Sequence, residues 1–282
     1  MKKINHYTGK AIDFYSAVLA SKRDENLVNS LNKIKGRMSE LYDTYDDSFK
    51  GKQLHYLSPD ANLTASQRRH LASLYSFDAT PFRNLMNQLT TNEYGQVDKA
   101  CPFCTINSSN TFDHILPQSV FHEYAVHPLN LIPCCSECNG HKGTEWTTGN
   151  ALKFLNLYQD DLPDVQYLFV TLTVVVGVLK AEFNVQNTGN IDPALFERIK
   201  TTYTRMYLCT RFRERCNEEL CELALTIQKY LSFGLTDAKI ISVIRSDVEG
   251  LRNRKGYNYW KAILKEACCN EPTAFECLKT MQ

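Results

Sequence analysis

Two Cys-x-x-Cys pairs, Cys101/Cys104 and Cys135/Cys138, stand at the two ends of one stretch of the chain. Each pair can present two thiolates from a single tight turn, and two such turns complete a tetrahedral zinc site. Residues 105–134 separate the inner cysteines, which is longer than the loop of a small zinc finger, so a further element must be inserted there. The competing reading is a set of buried free thiols. Cys134 is a fifth thiol, but its adjacency to Cys135 makes joint ligation of one ion awkward. Inside the loop lies Asp113-His114-Ile115-Leu116-Pro117, followed by Asn130 within Leu129-Asn130-Leu131. Cys138 is followed at once by Asn139, with His141 and Lys142 just after. Taken singly these are ordinary: an Asp-His pair is usually a surface turn, and an Asn before Leu usually caps a strand.

Taken in order, they are specific. Cys-x-x-Cys, Asp-His-x-x-Pro, an Asn before an apolar residue, then Cys-x-x-Cys-Asn with a nearby Lys resembles the HNH endonucleases of the zinc-bearing ββα-metal type. The resemblance covers residues 101–143 of 282, so it speaks for a site and not for the flanks. It implies a structural zinc on Cys101, Cys104, Cys135 and Cys138, and a second, catalytic cation, Mg²⁺ or Mn²⁺, held by Asp113 and Asn139. It implies that His114 is the general base that takes a proton from the attacking water, a task suited to an imidazole because its pKa lies near working pH. Asn130 is implied as the remaining member of the catalytic set, holding the loop and the histidine in place. Many relatives carry a second histidine where this chain has Asn139. That His-Asn-Asn variant offers an amide oxygen, which favours a hard cation.

His141 and Lys142 are candidates for contact with backbone phosphate, though Lys142 can equally close the helix start. His122 and His127 read as structural or phosphate-contacting. The expected activity is hydrolysis of phosphodiester bonds in DNA, double-stranded by family habit. The alternatives are a zinc-stabilised nucleic-acid- or protein-binding module with an inactive centre, and an RNase on the same site. Standalone HNH proteins with long helical flanks also resemble effectors of bacterial anti-phage defence. That likeness implies a protein partner such as an ATPase or sensor, or self-association.

The composition agrees with a globular protein and excludes other classes. Hydrophobic residues make up 43% and charged residues 22% of the chain, which rules out a disordered chain, a collagen-like repeat and a bare coiled coil. Lys+Arg total 32 against 31 Asp+Glu, a net +1, so contact with nucleic acid must come from a local patch. Residues 101–150 hold Lys142 as their single basic residue against Asp113, Glu123, Glu137 and Glu145. No apolar run is long enough to span a bilayer. No apolar segment follows Met1-Lys2-Lys3, so a signal peptide is not expected. The 11 cysteines are accordingly expected in a reducing cytoplasm, as ligands or thiols.

Positioning such a site requires short strands and a helix. Thr111 to Leu116 should form the first strand, Asn130 to Pro133 the returning one, and Ser136 to about Lys142 a helix. Apolar spacing predicts helices over 9–20 and 26–48, one from Thr64 or Ser66 to about Tyr75, and one over Phe82–Leu89 with Pro81 in its first turn. Residues 91–100 read as a polar loop. The β-branched, aromatic stretch 165–185 reads as a strand pair. Helical faces then follow: Leu195 to Phe212, Leu220 to Leu231, 236–252 and 257–268. The expected architecture is α+β: a helical region over 1–95, the nuclease core over 96–150, and a β-hairpin with a helical region over 151–282. Arg211, Arg213 and Arg215 are expected to be a solvated face paired with Glu214, Glu218 and Glu219. The cluster Arg252, Arg254 and Lys255 beside Tyr257, Tyr259 and Trp260 is the better candidate for nucleic-acid contact.

Overall fold

The computed structural model describes residues 1, 3–92 and 94–281. The chain divides into two compact units, Lys3–Asp161 and Leu162–Gln282 with Met1–Lys2. The regions expected over 1–95 and 96–150 therefore share one unit, and its boundary falls at Asp161. The architecture is α+β: mainly helices, with two separate two-stranded antiparallel sheets.

The first unit opens with α1 (Ala11–Ala20), α2 (Glu25–Asn32) and α3 (Lys35–Lys50). The single helix expected over 26–48 is broken between the last two. At the break the Ile34 amide donates to Leu31 O, three residues back, at 3.2 Å, a tightened turn of the 3₁₀ kind. Each piece can then turn its own apolar stripe inward: Leu27 and Leu31 from α2, and Met38, Leu41, Tyr42, Tyr45 and Phe49 from α3. Helix α4 (Ala65–Ala72) starts on Thr64, whose hydroxyl accepts from the Gln67 amide while the Gln67 side chain accepts from the Thr64 amide. Such a cap is worth about 1 kcal/mol.

Helix α4 stops short of Tyr75, whose hydroxyl instead accepts from the Phe112 amide at 3.1 Å. Helix α5 (Thr80–Thr90) carries Pro81 in its first turn. Strands β1 (Thr111–His114) and β2 (Leu131–Cys134) pair antiparallel, with Asp113 opposite Ile132 and His114 opposite Leu131. Helix α6 (Ser136–Lys142) follows directly. The core of the unit is aromatic: Tyr15, Tyr42, Tyr45 and Tyr124 are buried, and their rings meet mostly edge to face.

In the second unit β3 (Leu168–Val175) and β4 (Val178–Val185) form the expected hairpin. Leu179, Ala181 and Phe183 alternate inward, and the turn residues Val176 and Gly177 both adopt left-handed φ, 51° and 76°, as a tight hairpin turn demands. Helices α7 (Pro193–Arg205) and α8 (Leu208–Ser232) are separated at Tyr207, whose φ is 53°. The face expected from Leu195 to Phe212 therefore belongs to two helices. Helices α9 (Asp237–Lys255) and α10 (Trp260–Asn270) were expected, whereas α11 (Pro272–Thr280) was not. It buries Ala274, Phe275 and Leu278.

The basic clusters of this unit are partly committed to packing. Arg211 is buried and donates to Met206 O, Arg213 faces Glu182 at 3.5 Å, and Glu219 is buried between Lys261 and Lys265. Arg252 lies over the Tyr257 ring and reaches Glu266, while Tyr259 and Trp260 are buried. The Arg252–Trp260 cluster is thus mostly a packed seam, because its aromatic members are needed for the core. Among the described residues no helix is long and apolar enough to cross a membrane.

Candidate metal centre and catalytic pocket

The four cysteines of the paired motifs converge. The sulfur atoms of Cys101, Cys104, Cys135 and Cys138 all lie within 4.8 Å of one another, and all four residues are buried. Cys104 Sγ and Cys135 Sγ are 3.8 Å apart. A zinc ion with four thiolates at about 2.3 Å sets its sulfurs about 3.8 Å apart, so the cluster has the dimensions such an ion needs.

Local backbone makes each half. The Thr105 amide closes the first turn onto Cys101 O at 2.8 Å, with Thr105 in the left-handed region, and the Ile106 amide points at Cys104 Sγ. In the second half Cys135 caps α6, and the Cys138 amide points at Cys135 Sγ. Amides aimed at sulfur favour thiolate. Hydrogen bonds among the thiols hold those of Cys135 and Cys101 far below their ordinary value, Cys101 to about 3, and push those of Cys104 and Cys138 above it. The cluster can hold a metal such as zinc. Cys134 lies outside it, its thiol donating to Cys135 O at 3.2 Å.

Beside the cluster lies a cavity of about 350 Å³ whose wall includes Asp113, His114 and Asn139. His114 ends β1. Its Nε2 lies 2.9 Å from Ala125 O, and a carbonyl only accepts, so Nε2 carries the proton and donates. Nδ1 is left as the acceptor. Burial pushes the His114 pKa down to about 4, the bond to Ala125 opposing and the nearby Lys142 charge assisting. The ring is therefore neutral near neutral pH, the form a general base requires. Asn139 sits on α6 next to Cys138, and its side-chain amide has no hydrogen-bond partner among the described residues.

Asp113 is not open. The Lys142 ammonium donates to both of its oxygens, at 2.9 and 2.8 Å, and to His114 O at 2.6 Å. Burial pushes the Asp113 carboxyl above its ordinary value, with the Lys142 charge opposing. The reading of Lys142 as a phosphate contact is therefore corrected. It is buried because a buried carboxylate needs a counter-charge, and Lys142 is the single Lys or Arg in residues 101–150. His141 lies one turn from Glu137, its Nε2 4.0 Å from the carboxylate.

Asn130 is fully buried and does not line the cavity. Its Nδ2 donates to Leu116 O and Tyr124 O, both at 3.0 Å. Its Oδ1 accepts from the Leu116 amide at 2.7 Å and the Tyr45 hydroxyl at 3.1 Å. It thereby ties the end of β1 to the loop that presents Ala125 to His114. His127 packs beneath, its ring against Tyr42 and Tyr45 and its Nε2 3.3 Å from Asp46.

The cavity wall also includes Gln118, His122 and Thr144, which no spacing argument picked out as a set. Gln118 is held there by donating to Ala72 O at the end of α4. His122 is the one with a sequence signal: a histidine shortly after the Asp-His-x-x-Pro segment.

Fold and site together describe an α+β protein in which a buried four-cysteine cluster that could hold a metal accompanies a pocket of Asp, His and Asn. No known family matches the chain, and no solved structure matches it. Over 186 residues the chain is 25% identical to Protein ea31 of Escherichia phage lambda, a match covering 62% of this chain and 63% of that protein.

Proposed function

We propose that this protein is a metal-dependent endonuclease of the HNH type that hydrolyses phosphodiester bonds in DNA. The observation that carries the reading is the meeting of Asp113, His114 and Asn139 on one cavity wall, next to the four-cysteine cluster. In this reading the cysteines hold a structural zinc, and β1, β2 and α6 form a ββα-metal core too small to bury a core unaided. His114 Nδ1 takes the proton of a water attacking the scissile phosphate, while the Nε2–H bond to Ala125 O fixes the ring and its tautomer. Asp113 and Asn139 supply hard oxygen donors suited to Mg²⁺ or Mn²⁺. Such a cation, when bound, stabilises negative charge on the phosphate and the leaving oxygen. Asn130 acts at a distance, by holding the loop that orients His114.

Plasmid DNA incubated with Mg²⁺ or Mn²⁺ tests this directly. Wild-type protein should cut, and His114→Ala should not. A parallel arm with structured RNA separates DNase from RNase. One observation favours a second reading, a zinc-stabilised binding module with a silent centre: Lys142 already occupies both Asp113 oxygens. Absence of cleavage by zinc-replete, folded protein on either nucleic acid would favour that reading.

A further inference from the structure

Lys142 meets Asp113 from a second, smaller cavity lined also by Ile132, Phe154 and Asn156, and not from the wall that carries Asn139. Its ammonium bridges both oxygens of Asp113 and spends its remaining donor on His114 O, so all three protons are used. The two side chains are 5% and 3% exposed, so water screens the pair poorly. The ammonium also lies over the Phe154 ring, 5.7 Å from its centre. The cavity wall adds no other carboxylate: Ala72, Pro117, Gln118, Ser119, Asn139, Gly143 and Thr144 are uncharged, and His114 and His122 are negative in no protonation state. The electrostatics of the site follow. The one carboxylate of this wall is neutralised by a buried positive charge in contact with it. A divalent cation entering the free protein must compete for a carboxylate that is already bridged, so Asp113 attracts it weakly. A phosphodiester brings the missing negative charge.

Resting on the nuclease reading above, we infer that Lys142 makes the divalent cation and the nucleic-acid phosphate bind as a pair, each weakly alone and each strengthening the other. The coupling is reciprocal, as linkage requires. Without the ammonium, Asp113 takes the cation whether or not substrate is present. Lys142 in this role positions and tunes the site and does not take part in bond cleavage.

The test is a binding measurement. Free Mn²⁺ is followed by its electron paramagnetic resonance signal in His114→Ala protein, so that DNA is not cut, with and without a short DNA duplex. The same protein carrying Asp113→Asn serves as the blank for cation held by the duplex or elsewhere. The expected result is that the duplex tightens Asp113-dependent Mn²⁺ binding roughly tenfold or more. In the His114→Ala/Lys142→Met protein, Mn²⁺ should bind tightly without duplex, and the duplex effect should shrink to a small factor. Equal Mn²⁺ affinity with and without duplex in the protein that retains Lys142 overturns the inference while leaving the nuclease reading intact. No Asp113-dependent Mn²⁺ binding under either condition overturns both. Should Lys142→Met fail to fold, the comparison in the Lys142-bearing protein decides alone.

Discussion

Asn130 offers the sharpest test of how the pocket is held. Asn130→Ala deletes four hydrogen bonds at once, but they are not equal. Tyr124 O keeps the His127 amide at 3.1 Å, and the Tyr45 hydroxyl keeps Leu129 O at 3.4 Å. The Leu116 amide and carbonyl keep nothing comparable, since Asn130 served both. Two buried groups left unpaired cost about 1–3 kcal/mol each, so the loss is about 2–6 kcal/mol. For a unit of this size each kcal/mol lowers Tm by roughly 2–4 °C, giving a fall of roughly 4–24 °C. Because the chain has two units, the probe must report on the right one. Trp146 lies in the first unit, against Phe121 at 5.0 Å, and Trp260 in the second. Thermal unfolding followed by fluorescence in a Trp260→Phe background isolates the first transition. The variant should also lose cleavage at temperatures where it is still folded, because Ala125 no longer holds His114 in place. A transition within about 2 °C of the parent, the shift expected for about 1 kcal/mol or less, would refute the assignment of Asn130 as the clamp.

Four further outcomes are expected. Cys135→Ser should release the bound metal, measured by elemental analysis, and abolish a cooperative first-unit transition, whereas Cys134→Ser should retain the metal. His114→Ala should reduce plasmid cleavage roughly 10²–10⁴-fold with an unchanged circular dichroism spectrum. The His114 pKa is lowered to about 4, so its neutral, proton-accepting form persists through neutral pH. The His114-dependent rate should hold as pH falls through 6 and drop only towards about 4, which a pH–rate profile reads. The same depression below an unfolded value of about 6.5 gives stability that is present above that pH and lost as pH falls towards the folded value, measurable as an acid-limb drop in Tm that His114→Ala reduces.

Much of the site was legible because its parts are local in the sequence. Cys101 to Lys142 is one continuous stretch, and strand, loop and helix in that order bring Asp113, His114 and Asn139 to one wall. What pins the stretch was not legible. Tyr45 reaches Asn130 and Ala72 reaches Gln118 from helices far upstream, and Tyr75 reaches Phe112 from the loop after α4, and no period or spacing announces such contacts. Lys142 misled because a lysine just after a stretch that resembles a nuclease motif suggests phosphate. The contrary signal was its isolation, one cation in residues 101–150 with a carboxylate that the strand would bury. The helix breaks at Ile34 and Tyr207 escaped because neither involves proline or a glycine in the left-handed region; they arise where two apolar stripes must face different neighbours. Helix α11 escaped because it is a short helix with few buried residues, Ala274, Phe275 and Leu278, to mark a period.

Each member of the pocket is restrained by a different device, and this separates their failures. Asn139 follows Cys138 directly, so its position depends on the four-cysteine cluster. His114 depends on Ala125, and Ala125 on the loop that Asn130 ties to Leu116 and Tyr45. Asp113 depends on Lys142, which reaches it from the last turn of α6. The cluster and the ion pair both act through α6, whereas the Asn130 clamp acts through the aromatic core of α3. Loss of metal from the cysteines should therefore disturb Asn139 and Lys142 together and leave the His114–Ala125 bond in place. Loss of the clamp should do the reverse. This partition explains why the regions expected over 1–95 and 96–150 form one unit. Half of the pocket is held by thiols within the short motif, and the other half has no support until the tyrosines of the upstream helices are packed beneath it.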